Sequence, residues 1–552
     1  MYYYPTMIAS MLSDAYKQSH IVQYPDNTTL VGTNTTARSD KHASVKGGVV
    51  VFNIQATFMK ITEVYDESFF NLPKEEALKR HEATSIAWFG KKPKLTHVAA
   101  LHDLGYLPIA LYSLKEGTIA PIGIPFMFIH NTLPEFYWLT NGLETIISNE
   151  IWHPITVATI ARGFKKLLTS WSEKTCDNND HVNIQGHDFS MRGQTTLEAT
   201  MGAGAAWLTS LDGSDSIPAI FYADKYYNSG IIPGIGGSIA ATEHSVMSMG
   251  TKETEFETFK RLITELYPDE PISIVSDTFN LWAVLSDFLP RLREDILNRN
   301  GIPVIIRPDS GDPVDIICGE ALPVENLSFD NTGRAHPPLE YLNNNSIDNP
   351  WDRTYYLENG KYYVIDKDSQ EWVEISPEPK HIGVIESLYN TFGGEVNKKG
   401  YITLNSNIGA IYGDSINFDR ANSMCRRLEK KGFASSNIAL GIGSYTLQMI
   451  SRDTYGMALK ATYGELLNPD NTIEKRNIFK DPITDDGTKK SITGLPYVYK
   501  DENGKLQLKD KATWEEFNSG ELKLIYKDGE FINKITWAEI KEELLNEYNT
   551  AS

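Results

Sequence analysis

The sequence predicts an α/β fold: a barrel or partial barrel of parallel strands, with a mixed α+β unit made from both chain ends beside it. Three observations carry this. First, short aliphatic runs repeatedly end in polar or glycine-bearing turns. Val182-Asn183-Ile184 leads to His187-Asp188-Phe189-Ser190-Met191-Arg192-Gly193, and Ile272–Val275 leads to Ser276-Asp277-Thr278. Ile302–Ile306 leads to Arg307-Pro308-Asp309-Ser310-Gly311, Ile408–Tyr412 to Gly413-Asp414-Ser415, and Ile438–Leu440 to Gly441-Ile442-Gly443-Ser444. Second, helical spacing fills the intervals, as with Phe279, Trp282, Leu285, Leu289, Leu292 and Ile296. Buried parallel strands read as aliphatic runs, and the strand–turn–helix alternation puts working residues at their C-terminal ends. Third, no early Gly-x-Gly-x-x-Gly opens the series, which favours barrel closure over a doubly wound dinucleotide fold.

In chain order, residues 1–154 are mixed in pattern, with strands near Leu30–Thr36 and Val49–Phe52 and a helix from Pro134 to about Ile151. The βα region occupies 155–453, with helices at Thr195–Leu208, Thr278–Asn298 and Phe418–Lys431. A segment of different character interrupts it at about 326–380. There, runs around Tyr355, Tyr362 and Trp372 alternate with period two about Asn359-Gly360, the signature of a small antiparallel β-meander. Residues 454–552 return to mixed pattern, with hairpins at Val498–Leu508 and Leu524–Ile532. A last helix is opened by the capping box Thr536–Glu539.

Composition narrows the function classes. A 552-residue chain at about 150 residues per domain holds two to four domains. The net charge of −20 argues against general nucleic-acid or membrane binding, though not against a small anion meeting a local cluster. No apolar run reaches the ~20 residues needed to cross a bilayer. The start has no secretory pattern, and Cys176, Cys318 and Cys425 lack metal-ligand spacing, so a cytoplasmic protein is expected.

Chemistry concentrates at the strand ends. Gly443-Ser444 opening a helix offers unhindered N–H groups and a hydroxyl to a phosphate, with Arg452 and Lys460 as further cationic candidates. Asp277, Asp309 and Asp414 end three different strands and would repel one another unless they meet Mg²⁺, ribose hydroxyls or a developing cation. His244 beside Asp277 has the makings of a nucleophile or base. Phe189, near Arg192, offers a face to a flat heteroaromatic ring. Taken singly, each has a plainer reading: a helix cap, a satisfied core histidine, a core phenylalanine.

Blocks in register give a more specific signal. Ser13-Asp14-Ala15-Tyr16-Lys17, His187-Asp188-Phe189-x-x-Arg192-Gly193, Gly213-Ser214-Asp215, Glu243-His244-Ser245, Val275-Ser276-Asp277, Ile305–Gly311, Gly413-Asp414 and Arg452-Asp453 resemble, in this order, the nicotinate/nicotinamide phosphoribosyltransferase family. The resemblance spans nearly the whole chain except the insert. It implies the type II phosphoribosyltransferase fold and condensation of nicotinamide with 5-phosphoribosyl-1-pyrophosphate, giving nicotinamide mononucleotide and pyrophosphate. It also implies Mg²⁺ held mainly by that pyrophosphate, ATP as phosphoryl donor, and a homodimer with active sites at the interface. By position, Phe189 and a partner's Tyr16 would sandwich the pyridine ring, Arg192 would line its pocket, and Asp215 would accept from the carboxamide. Arg307, Asp309, Gly413, Asp414, Gly443 and Ser444 would hold ribose and its phosphate. Arg38, Arg452 and Lys460 would bind phosphate and pyrophosphate, and His244, hydrogen-bonded to Asp277, would be phosphorylated by ATP.

Asp215 is the warrant for amide over acid, since an ionised carboxylate welcomes an amide N–H and repels nicotinate; a nicotinate phosphoribosyltransferase is the alternative. Two departures from the family stand out. Gly443-Ser444-Tyr445 replaces consecutive glycines, and Lys489 and Lys490 match the family's basic residues only loosely.

Overall fold

The computed structural model describes residues 6–323, 328–329, 335–336, 355–365, 372–480 and 492–550. Lys489 and Lys490 and much of the 326–380 insert lie outside the described residues.

Seven parallel strands form the first large sheet: β1 (Gly186–Asp188), β2 (Gly213–Ser214), β3 (Ala240–Ala241), β4 (Ile272–Val275), β5 (Val304–Arg307), β6 (Ile408–Tyr412) and β7 (Ile438–Ile442). Their spatial order is β2-β1-β7-β6-β5-β4-β3, so the sheet starts in mid-sequence and winds both ways. A parallel bridge from Gly213 to Gly237, just before β3, ties the two edges and curls the sheet into a partial barrel. All seven strands point the same way, so their C-terminal ends share one rim.

The second sheet is antiparallel and joins the two chain ends. Thr28–Thr36 pairs with Pro125–Asn131 on one side and with Ala458–Leu467 on the other. Ile109–Ser113 and the hairpin Lys523–Lys527/Glu530–Phe531 extend it. The insert shows the expected meander, Tyr355–Glu358, Lys361–Ile365 and Trp372–Ile375, with Asn359 and Gly360 both at positive φ in the turn.

Three local expectations are corrected. The helix expected to stop near Ile151 runs from Leu139 to Thr175: Pro154 is tolerated within it, and Ile155-Thr156-Val157, where the βα region was expected to begin, are buried helix residues. Its first half packs in the core beneath the antiparallel sheet and its second half in the barrel core. Val182–Gln185 is a helical turn, and the strand is the glycine-led Gly186–Asp188 that follows. The single helix expected over Thr278–Asn298 is broken into short α and π turns around Pro290, as a ring without an N–H demands. Among the described residues no helix is long and apolar enough to cross a membrane.

His81 and His97 are embedded in the N-terminal part, His81 accepting or donating at Ser10 Oγ (2.8 Å) and His97 edge-on to Trp138. Burial drives both imidazoles down to about 4, with their mutual repulsion adding to the shift of His81. The native state therefore binds fewer protons than the unfolded chain below pH 6.5, so their stabilisation is complete above that pH and lost as it falls towards 4. At pH 5 the two together are expected to cost about 4 kcal/mol. Urea unfolding at pH 7 and pH 5 checks this: the double variant His81→Asn/His97→Gln should lose less stability across that interval than the parent, and an equal loss would refute the assignment.

Candidate active site

The barrel rim bears an open cleft of about 980 Å³. Phe189, Arg192, Asp215, His244, Arg307, Asp309, Gly413, Asp414, Gly443 and Ser444, all singled out from sequence, line it together. They come from six strand ends and are drawn from a stretch that runs from Phe189 to Ser444.

Phe189 continues β1, its N–H donating to Ile442 O (3.0 Å). The ring is seated where two glycines leave room: a Cβ on Gly441 would come within 2.3 Å of it and one on Gly413 within 3.0 Å. Gly413 thus serves the aromatic platform as well as the ribose side foreseen for it, and Gly441 was missed. Its signal was present in the sequence, a small residue in an otherwise bulky strand. Ser444 lies against Gly193, where a Cβ would collide with its hydroxyl at 2.1 Å.

Asp215 follows β2, held by its N–H to Asp188 O (3.0 Å). Its Oδ1 accepts from Ser238 Oγ (2.5 Å) and lies 3.1 Å from His187 Nε2. Burial alone would push this carboxyl up, but hydrogen bonds from His187 and Ser238, backed by the charges of His187 and Arg307, hold it below the usual carboxylate range. It faces the cleft as an anion.

Asp277 and Asp309 form the floor. Asp277 is nearly buried and its Oδ2 accepts from Asp309 N–H (3.0 Å) and Ser310 Oγ (2.5 Å), pinning the Arg-Pro-Asp-Ser-Gly loop; Tyr412 O–H fixes the same loop through Gly311 O (2.9 Å). The expected His244–Asp277 hydrogen bond is not formed. His244 Nε2 stands 3.9 Å from Asp277 and 3.6 Å from Asp309, while Nδ1 pairs with Thr278 Oγ1 (3.1 Å). Asp277 Oδ2 is committed to the loop, and its Oδ1, the oxygen nearer the imidazole, stays beyond hydrogen-bond reach with no partner among the described residues, so the imidazole is left half-exposed between two carboxylates. Arg307 donates to Thr242 O (2.8 Å), and its buried Nε has no hydrogen-bond partner among the described residues.

Tyr16, Arg38, Arg452 and Lys460 do not line this cleft. Tyr16 is 60% exposed and shares a separate hollow with Arg452, Glu144 and Trp152. Arg38 Nε donates to Gly456 O (2.8 Å), and Lys460 sits opposite Asn34 on the neighbouring strand. No three carboxylate, imidazole or thiol groups converge as a metal cage among the described residues. The described residues do not fit a resident Mg²⁺.

Fold and cleft together define a type II phosphoribosyltransferase architecture. The chain belongs to the nicotinate phosphoribosyltransferase (NAPRTase) family, whose profile matches residues 184–518. It is 39% identical over 542 residues to a nicotinamide phosphoribosyltransferase of Acinetobacter baylyi, covering 96% of each chain. It is 31% identical to one of Mycoplasma pneumoniae, covering 87% of this chain and 93% of that protein. The crystal structure of a nicotinate-nucleotide pyrophosphorylase from Pyrococcus furiosus shares the fold, with a TM-score of 0.50 and 12% identity over 98% of this chain and 95% of that one.

Proposed function

We propose that this enzyme condenses nicotinamide with 5-phosphoribosyl-1-pyrophosphate to give nicotinamide mononucleotide and pyrophosphate in NAD biosynthesis. The observation that carries the choice of nicotinamide is the ionised Asp215 facing the same cleft as Phe189. The relatives named above bear the same activity in their names.

The chemistry follows from positioning. Phe189 supports the pyridine ring and Asp215 accepts from the carboxamide, aiming the ring nitrogen at C1 of the ribose. Asp309 and Asp414 take ribose hydroxyls, and Gly443 and Ser444 the 5-phosphate. As the C1–O bond breaks, charge moves onto the departing pyrophosphate and an oxocarbenium-like C1 develops near the Asp309 carboxylate; the pyridine nitrogen then closes the new bond. Mg²⁺ enters with the pyrophosphate.

One chain does not complete this site. Its cleft is lined by the carboxylates of Asp215, Glu243, Asp309 and Asp414 against the guanidiniums of Arg192 and Arg307, a poor match for a polyanionic substrate. Met191, Leu197 and Tyr445 at its rim are exposed apolar groups. A homodimer in which Tyr16, Arg38, Arg452 and Lys460 of the second subunit close the cleft supplies both missing parts, a second ring face and cations. ATP acts as co-substrate by phosphorylating His244. Three free, buried thiols are in keeping with a cytoplasmic setting.

The test is product formation with nicotinamide against nicotinate. At ~4 Å and an effective dielectric near 20, screened further by an open cleft, Asp215 repels a second carboxylate by roughly 2–4 kcal/mol. Asp215→Ser is expected to raise the nicotinate-to-nicotinamide ratio of kcat/KM at least about thirtyfold. A parent enzyme that prefers nicotinate, or an unchanged ratio in the variant, would overturn the reading.

A further inference from the structure

We propose that His187 is a positioning residue for amide recognition: it holds one oxygen of Asp215 so that the other is the sole acceptor offered to the ring substituent. The inference rests on the nicotinamide reading above and deepens it.

His187 and Phe189 are two residues apart on an extended segment and so project from the same face. The imidazole packs edge-on to the Phe189 ring, centroids 5.0 Å apart, while its Nε2 reaches Asp215 Oδ1 at 3.1 Å. One side chain thereby touches both groups that would hold the pyridine, the platform beneath the ring and the carboxylate at its substituent. Its position is tightly set from the other side too. Gly213 lies opposite His187 in the β1–β2 pairing, and a Cβ there would come within 2.6 Å of His187 Nδ1.

The two donors to Asp215, His187 and Ser238, converge on Oδ1. Oδ2 has no hydrogen-bond partner among the described residues. A carboxylate with one oxygen bonded twice and the other free is fixed in rotation about its Cβ–Cγ bond. That converts a mobile anion into a directed acceptor for one amide N–H. Without His187, Asp215 keeps its charge but loses its aim.

The consequence separates aim from charge. Gln at position 187 can place its amide nitrogen near the Nε2 site and retain the donor; Leu fills similar volume without one. His187→Leu is expected to raise KM for nicotinamide about tenfold with kcat changed less than threefold, while His187→Gln recovers most of the parent KM. Ser238→Ala, at an exposed position that tolerates truncation, should give a smaller rise of the same kind. A merely structural role would lower kcat and folded yield without a selective KM effect and would not be rescued by Gln. Steady-state kinetics on the three variants, with Asp215→Ser run alongside, decides it. Unchanged KM in His187→Leu while Asp215→Ser shifts substrate preference overturns the positioning role alone; an inert Asp215→Ser overturns the underlying reading. Should His187→Leu not fold, a parent-like KM for His187→Gln together with a measurable rise in KM for Ser238→Ala supports the proposal, and a flat Ser238→Ala result overturns it.

Discussion

Mixing Asp309→Ala subunits with Arg452→Ala subunits, each inactive alone, is expected to restore about a quarter of the parent activity. Asp309 stands in the barrel cleft and Arg452 in the separate hollow with Tyr16, so in the proposed homodimer each site would draw the first from one subunit and the second from the other. Removing a preorganised charged contact at a reacting centre typically costs about 10²–10³ in rate, enough to silence either homodimer. Random reassociation makes half the dimers mixed. Each mixed dimer has one site built from two intact halves and one from two damaged ones, hence about one working site in four. Equimolar mixing after mild dissociation, with dimer exchange followed by differently tagged subunits, supplies the measurement. Exchange without recovery would mean that both residues serve the same subunit's cleft, or that Arg452 serves none.

His244→Ala should abolish ATP hydrolysis and ATP stimulation, by three orders of magnitude or more, while synthesis without ATP persists at a reduced level. The imidazole has one nitrogen anchored at Thr278 and the other facing two carboxylates at 3.6 and 3.9 Å. Attack on the γ-phosphorus of ATP forms an N–P bond and releases ADP, and the positive charge that develops on the ring is balanced by Asp277 and Asp309. The condensation itself needs the ring platform, the Asp215 acceptor and the floor loop; the substitution leaves the first two intact and removes only the imidazole beside the floor carboxylates, hence the reduced but persisting synthesis. Undiminished ATPase activity in the variant would place the phosphoryl acceptor elsewhere; complete loss of basal synthesis would make His244 part of the condensation.

Asp277, Asp309 and Asp414 are readable because each stands just after an aliphatic run, and a rule about parallel strands then gathers such ends on one rim; Asp215, after the glycine-led Gly213–Ser214, is placed by the family resemblance, and the run before Phe189 is a helical turn. Phe189, Asp215, Asp309 and Gly443 meet in one cleft as that rule requires. What escaped was whatever depends on packing between segments. Gly441 reads as part of the glycine turn after Ile438–Leu440, whereas it lies in the strand with the Phe189 ring against it. His187 stands in a motif whose pattern names no task for it, although its i, i+2 relation to Phe189 is visible in the sequence. Adjacent strand ends suggest pairing Asp277 with His244; the Thr278 hydroxyl instead anchors Nδ1 and leaves Nε2 3.9 Å from Asp277 Oδ1, a separation no sequence pattern records. Ile155-Thr156-Val157 misled for a general reason. A fully buried helix and a fully buried strand present the same apolar run, and only length tells them apart.

The 37-residue helix Leu139–Thr175 carries a consequence for how this chain can change over evolutionary time. Near its start it anchors the Tyr16 segment, through Thr145 to Asp14 and Glu144 to Lys17, and farther along it backs the barrel. Each residue added to such a rod would swing one end by about 100° against the other and advance it about 1.5 Å. Surface excursions like the meander can therefore lengthen freely, whereas the rod must keep its count, because it is the ruler that fixes the Tyr16 segment in distance and angle against the barrel.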